Sequence, residues 1–313
     1  VPAEAVDDAH LPDSKTLNEA ATVDEHDWVE LVGEIRRGRC TPFLGAGACV
    51  PLLPLASELV GTLAEKEPIP ERYCDSLTNA AQYLSVTRSP ARPKQAVADI
   101  IDELLSKIPD NVVRNHSPHA FLARLPLPVY LTTNYDNLMQ RALDGERRPY
   151  RTDYCRWNRF VDADSELLDQ KSTYIPSKEH PLVYHLHGTT DEVDSIVISE
   201  TDYVDFIVNV ARDRLLPNCI KNQLARTELL FIGYSLKDIN FRIIVKGVLG
   251  ALGDSAARPS IAVQLHVDDP SERQYFENYI KQIGTAHWKI YWGDSASFID
   301  KLRSYWEMAE VRP

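Results

Sequence analysis

The second half of the chain repeats one pattern, a run of β-branched and aromatic residues followed by a stretch of helical periodicity. The apolar runs read LVYHLHG, SIVIS, ELLFIGYS, SIAVQLHV and WKIYW. Helices are predicted from Glu200 to about Leu215, from Asp238 to about Leu249 and from Ser271 to Ile283, with FIDKLRSYWEMA as the last. Strands joined through helices are crossover connections, so they run mainly parallel and are covered on both faces. The expected fold is a doubly wound, Rossmann-like α/β sheet, mainly parallel, with helices on both faces. The first half adds the helix WVELVGEIRRG and the strands CTPFL and VYLTTN.

Two stretches interrupt the alternation. Residues 55–125 are a helical insertion, in which LASELVGTLAEK, LTNAAQYLSV and PKQAVADIIDELLSKI each place apolar residues three and four apart. Residues 145–181 are polar and irregular, with one possible strand at YRTDYCRW. Residues 1–25 mix Asp, Glu, Pro and Ala without periodicity and are expected to be a flexible acidic arm, leaving 26–313 as one domain. No internal repeat or low-complexity tract is visible.

Composition narrows the class. Across 313 residues, 34 basic side chains against 46 acidic ones leave a formal charge of -12, which repels a polyanion and disfavours nucleic acid, although a local basic groove could survive. The 44% of hydrophobic residues suffices for a sizeable core without staples. Cys40, Cys49, Cys74, Cys155 and Cys219 include no C-x-x-C pair, so neither a disulfide framework nor a four-thiolate zinc site is indicated, and a reducing, cytoplasmic setting is expected. The start VPAEAVDDAHLPDSK lacks the basic-then-apolar order of a secretory signal. The most apolar stretch, Thr41 to Ala56, holds three prolines and two glycines, so no membrane span is expected.

Four strand ends carry residues with chemistry. In FLGAGACV, Gly45 and Gly47 allow backbone N–H groups to approach a phosphate, and a following helix would add dipole attraction. The third glycine of the dinucleotide fingerprint is missing, Val50 standing in its place, and a tight turn without ligand has the same sequence. LTTNYDNL puts Asn134 and Asp136 at the carboxyl edge of a strand, where they either face one crevice or make a turn and a helix cap. In VYHLHGTTD, His185 and His187 share one face of a strand with no third ligand at metal spacing. Each reads as a structural histidine, and His187, beside Gly188, is the better placed for edge chemistry. LLFIGYSLKDIN sets Gly233 and Ser235 where phosphate or ribose oxygens bind, or where a strand turns into a capped helix. Four such ends in one alternating pattern predict a shared crevice.

The ordered set LGAGAC, TTNYD, HLHG and GYSL, spanning about Phe43 to His266, resembles the sirtuin fold and, more closely, the sirtuin-like NAD-hydrolase domains of bacterial antiphage defence systems. The resemblance implies NAD+ as substrate, Asn134 and His187 as catalytic residues, and Gly45, Ala46, Gly47, Asp136, Gly233 and Ser235 as NAD+ contacts. The departures also inform. The two C-x-x-C pairs of the deacylase zinc ribbon are missing, so no zinc is expected and deacylation is disfavoured. Cys49 replaces the usual hydroxyl after the glycine turn, and PLLPLASEL replaces the proline–aspartate–phenylalanine–arginine loop that follows it.

The activity so implied is cleavage of the nicotinamide–ribose bond to nicotinamide and ADP-ribose. The leaving group is already cationic and departs neutral, so the enzyme must hold an oxocarbenium-like sugar and place a water beneath it. Asn134 is expected to orient that water and Asp136 to hold the nicotinamide amide. His187 is expected to bind or deprotonate a ribose hydroxyl or the water, with a pKa near neutrality. A freely active hydrolase would empty its own cell of NAD+, so the resemblance also implies control by homo-oligomerisation or by a partner such as a ring-forming ATPase or an Argonaute-like protein. The acidic arm and the helix bearing Tyr305, Trp306 and Met308 are candidate contact surfaces, although packing on its own sheet is the more common outcome for such a terminal helix. An NAD-dependent deacylase and a non-catalytic NAD or ADP-ribose sensor are the alternatives, while the acidic charge and the lack of clustered carboxylates disfavour a metal-dependent nuclease.

Overall fold

Successive side chains along the strands enter two separate cores. Phe43, Leu131, Tyr184, Leu229 and Phe231 pack on one side, while Leu44, Tyr130, Val183, Leu230 and Ile232 pack on the other, the period-two alternation of a sheet buried on both faces. The computed structural model describes residues 22–161, 165–169, 174–213, 216–236, 241, 242, 245, 259–283 and 288–311. Its strands are β1 (Cys40–Leu44), β2 (Val129–Thr132), β3 (Arg151–Tyr154), β4 (Leu182–His185), β5 (Glu228–Ile232), β6 (Ser260–Gln264) and β7 (Trp288–Trp292). They form one sheet in the order β3-β4-β2-β1-β5-β6-β7, and every pairing is parallel. The doubly wound reading thus describes the fold.

The strand order positions the site. The chain lays β2, β3 and β4 on one side of β1 and then returns to lay β5, β6 and β7 on the other. Such a reversal opens a crevice at the carboxyl ends of the strands that flank it, here β1, β2 and β5.

Between β1 and β2 lie five α-helices, α2 (Ala56–Lys66), α3 (Leu77–Thr87), α4 (Ala91–Ser106), α5 (Asp110–His116) and α6 (Pro118–Arg124). They are fastened to α8 (Glu200–Asp213) by side chains. Lys94 of α4 sits 3.3 Å from Asp202 Oδ1 and 4.7 Å from the centre of the Trp157 ring. The Thr201 backbone N–H and hydroxyl both donate to Gln82 of α3. No described helix is long and apolar enough to cross a membrane.

Three details differ from or extend the sequence reading. SIVIS does not join the sheet. Gly188, at φ +85°, reverses the chain after β4 so tightly that a Cβ there would collide with the Ser195 backbone. The segment therefore folds back on the strand it left: Val197 N–H donates to the His187 carbonyl at 2.9 Å, and the N–H groups of Ile198 and Ser199 donate to Asp202. Part of the irregular 145–181 stretch supplies the edge strand β3. The described fold already includes Thr22, bridged to Ile290, and Asp24, which caps α1 (Glu25–Arg36). Residues 1–21 of the expected arm, and the helix expected from Asp238 to Leu249 apart from Phe241, Arg242 and Val245, lie outside the described residues.

Candidate active site

The base of the crevice is a contact between two backbones. Gly45 N–H donates to the Ile232 carbonyl and Gly47 N–H to the Gly233 carbonyl, both at 2.9 Å. A Cβ on Gly45 would lie 2.7 Å from the Gly233 oxygen and one on Gly47 would lie 2.9 Å from its Cα. Gly233 itself sits at φ +81°, and a Cβ there would collide with the Ala48 nitrogen. The glycines are thus required by the approach of two strand-end loops. The N–H groups of Gly47, Ala48 and Cys49 are engaged inside this turn, so they do not form the row of open phosphate donors expected from the sequence.

Above that base, the β1 and β2 ends are joined by side chains. Asn134 Nδ2 donates to the Gly45 carbonyl at 3.0 Å and to Cys49 Sγ at 3.1 Å, so Asn134 reaches across to β1 rather than folding on its own backbone. The Cys49 thiol donates to Asp136 Oδ2 at 3.3 Å. Asp136 Oδ1 accepts from Leu138 N–H at 2.9 Å, at the start of α7 (Leu138–Gly145). Asp136 therefore does both things its position allows, supporting a helix start and facing the crevice. Burial and the neighbouring Asp136 carboxylate push the Cys49 thiol well above its usual range, so it stays protonated.

The two histidines of HLHG divide as their positions suggest. His185 is wholly buried, with Nδ1 3.0 Å from the Asn134 carbonyl and Nε2 2.8 Å from Gln140 Nε2. A carbonyl only accepts and an amide nitrogen only donates, so the proton sits on Nδ1. His187 borders the crevice between the edges of Tyr203 and Phe206, and its Nε2 has no hydrogen-bond partner among the described residues. Burial pushes it down to about 3. The expectation of a near-neutral imidazole is thus not met: burial alone shifts the ring, and desolvation leaves it uncharged at neutral pH.

Two adjoining cavities occupy the crevice. The inner one, about 150 Å³, is bordered by Asn134, Asp136, His187 and Cys49, and roofed by Leu59, Leu77 and Ile101 of the insertion with Tyr203 of α8. The outer one, about 570 Å³, is bordered by Gly47, Ser235, Gln264, His266, Trp292 and Asp294. Ala46, Ala56, Gly233 and Tyr234 border both. The structure therefore brings Asn134, Asp136 and His187 to the inner cavity, Gly47 and Ser235 to the adjoining one, and Ala46 and Gly233 to both, while Gly45 borders neither. Sequence reasoning missed Gln264, which ends β6, and His266 and Asp294, which follow β6 and β7; the carboxyl-edge rule applied to the last two strands would have found them. Gln264 holds the β5 loop, accepting from Leu236 N–H at 2.9 Å and donating to the Tyr234 carbonyl at 3.1 Å. Asp294 accepts from Ser297 N–H at 2.7 Å, a bond that holds its carboxyl below the ordinary value.

An open, all-parallel sheet with a cleft at the point where its strand order reverses defines a doubly wound α/β protein with its cleft where such folds bind ligands. Comparison with known proteins makes the class particular: the SIR2-like domain profile matches residues 128–285, half of the chain, and the chain belongs to that family. Three similar relatives are each named NAD(+) hydrolase ThsA. The one from Enterococcus faecium is 24% identical over 279 residues, covering 89% of this chain and 50% of that protein. Those from Acinetobacter baumannii (strain 532279) and Bacillus cereus (strain MSX-D12) are 26% and 25% identical, each over 70% of this chain and 41% of the relative. The chain thus spans half or less of the length of these relatives.

Proposed function

We propose that this chain is an NAD+ hydrolase that cleaves the nicotinamide–ribose bond to give nicotinamide and ADP-ribose. The observation that carries the reading is the convergence of Asn134, Asp136 and a His187 Nε2 with no partner among the described residues on one small cavity that shares its lining with a larger one. An elongated ligand with a small ring at one end and a nucleoside at the other fits that division. The SIR2-like family and the NAD(+) hydrolase names of the relatives support the same assignment.

In this reading the reacting end enters the inner cavity. Asn134 presents its amide oxygen to the attacking water, because both amide hydrogens are held by Gly45 and Cys49. Asp136 takes the nicotinamide amide. His187, neutral, hydrogen-bonds a ribose hydroxyl through Nε2, ending the isolation of that buried nitrogen. Little acid catalysis is needed, since the leaving group departs as a neutral base. The apolar roof from Leu59, Leu77, Ile101 and Tyr203 restricts which nucleophiles reach the sugar cation. Ala46, Gly47, Gly233 and Ser235 border the pyrophosphate, and the outer cavity takes the adenosine half.

The resemblance to antiphage defence domains supports a role in NAD+ depletion inside the cell, held in check by self-association or by a partner such as a ring-forming ATPase. The test is a time course of NAD+ consumption with product identification, on the chain alone and with candidate controlling proteins. Nicotinamide and ADP-ribose in equal amounts without any acylated peptide is the expected result. Release that depends strictly on an acyl-lysine peptide would instead assign a deacylase, and binding without turnover a sensor.

A further inference from the structure

Cys49 stands where the resembling family carries a hydroxyl, and the structure places its sulfur between two groups of opposite hydrogen-bonding character. Asp136 on one side only accepts, and the Asn134 amide nitrogen on the other only donates. We propose that Cys49 is a positioning residue, whose thiol, bonded between Asp136 and Asn134, locks the Asn134 amide with its oxygen toward the inner cavity.

The polarity of this chain of bonds leaves one arrangement. The thiol has a single hydrogen and gives it to Asp136 at 3.3 Å, so towards Asn134 the sulfur can only accept. Asn134 Nδ2 therefore supplies one hydrogen to sulfur at 3.1 Å and the other to the Gly45 carbonyl at 3.0 Å. Turning the amide over would set its oxygen against the Gly45 oxygen and leave the sulfur without a donor. Asp136 is anchored in turn by Leu138 N–H, so the relay runs from the start of α7 through the thiol to the amide. The raised thiol value supports this, because the relay requires S–H rather than thiolate. Cys49 is 2% exposed, which shields the bonds from competing water.

The kinetic part of this inference rests on the NAD+ hydrolase reading; the hydrogen-bond part does not. Steady-state kinetics on wild type, Cys49→Ala and Cys49→Ser test the first. Cys49→Ala should lower kcat at least about tenfold with KM within about twofold, the cost of losing one orienting hydrogen bond. Cys49→Ser, which keeps a donor and an acceptor, should recover kcat to within about threefold of wild type. Wild-type kcat in Cys49→Ala, or Cys49→Ser as slow as Cys49→Ala, would overturn the proposal.

Infrared spectroscopy on the full chain tests the bonds without turnover, and it decides the matter where Cys49→Ala does not fold. The S–H stretching band that disappears in Cys49→Ser is expected at a lower frequency than that of a free thiol, and to rise in Asp136→Asn, where a weaker neutral acceptor replaces the carboxylate. A Cys49 band at the free-thiol position in wild type would refute the relay. If wild type releases no nicotinamide, the hydrolase reading fails while the infrared result still judges the relay.

Discussion

His185 Nδ1 lies 3.0 Å from the backbone carbonyl of Asn134, and the opposite ring nitrogen meets Gln140. A histidine two residues before the cavity histidine thereby pins the peptide that carries the cavity asparagine. The β4 end thus holds one imidazole bonded at both nitrogens and another with Nε2 unpartnered.

The two should separate in a stability measurement. His185→Ala leaves the Asn134 carbonyl and the Gln140 amide buried without partners, and should cost about 2–4 kcal/mol. His187→Ala removes a ring whose Nε2 lacks a partner among the described residues, so its cost is mainly lost packing, about 2 kcal/mol, while turnover falls steeply. Urea titrations of both variants beside nicotinamide release check the split; equal destabilisation would argue against it.

The buried imidazoles also set a pH dependence. His119, His185 and His187 are all pushed down by desolvation, His187 to about 3. Below the ordinary value near 6.5 the unfolded chain takes up protons that the folded chain refuses, so stability is full above that pH and declines as pH falls toward 3. The slope is at most about 1.4 kcal/mol per pH unit for each histidine. Unfolding free energies at pH 7 and pH 5 should differ more for wild type than for His187→Ala. An identical difference would contradict a neutral, buried His187.

Two glycines offer opposite outcomes. Gly233→Ala forces a side chain against the Ala48 nitrogen at φ +81°, and should cost about 3 kcal/mol or more and deform the base of the cleft. Gly61, inside α2 with nothing within 4 Å of a built Cβ, should gain about 1 kcal/mol on replacement by alanine. Thermal melts read both directly.

Lys94 should report on the link between insertion and cavity. The Lys94 and Asp202 side chains are only 7% and 12% exposed, so Lys94→Met leaves a buried carboxylate uncompensated, at about 3 kcal/mol or more. Because Asp202 lies beside Tyr203, which borders the inner cavity, the same variant should raise KM for NAD+. Unchanged melting would show the pair to be dispensable.

Much of the fold is legible in the sequence. The alternation of apolar runs and helices specified a parallel sheet because burial on both faces leaves a periodicity that local sequence carries. That Asn134, Asp136 and His187 border one cavity is legible for a related reason: strand ends are visible, and strand ends of one sheet share its carboxyl edge. SIVIS misled because a buried segment folded back against Gly188 has the same composition as a strand. The mutual packing of Gly47 and Gly233, 186 residues apart in the numbering, was hidden for lack of any local signal. The sequence suggests a near-neutral His187 because nothing in HLHG says how completely Tyr203 and Phe206 enclose the ring.

The most direct test is nicotinamide release from saturating NAD+ by wild type and Asn134→Ala, with ADP-ribose affinity measured on the same samples. Release by wild type, a loss of about 100-fold or more in Asn134→Ala and ADP-ribose affinity within about threefold is the expected outcome for a residue that orients the attacking water. Undiminished release by Asn134→Ala would contradict it.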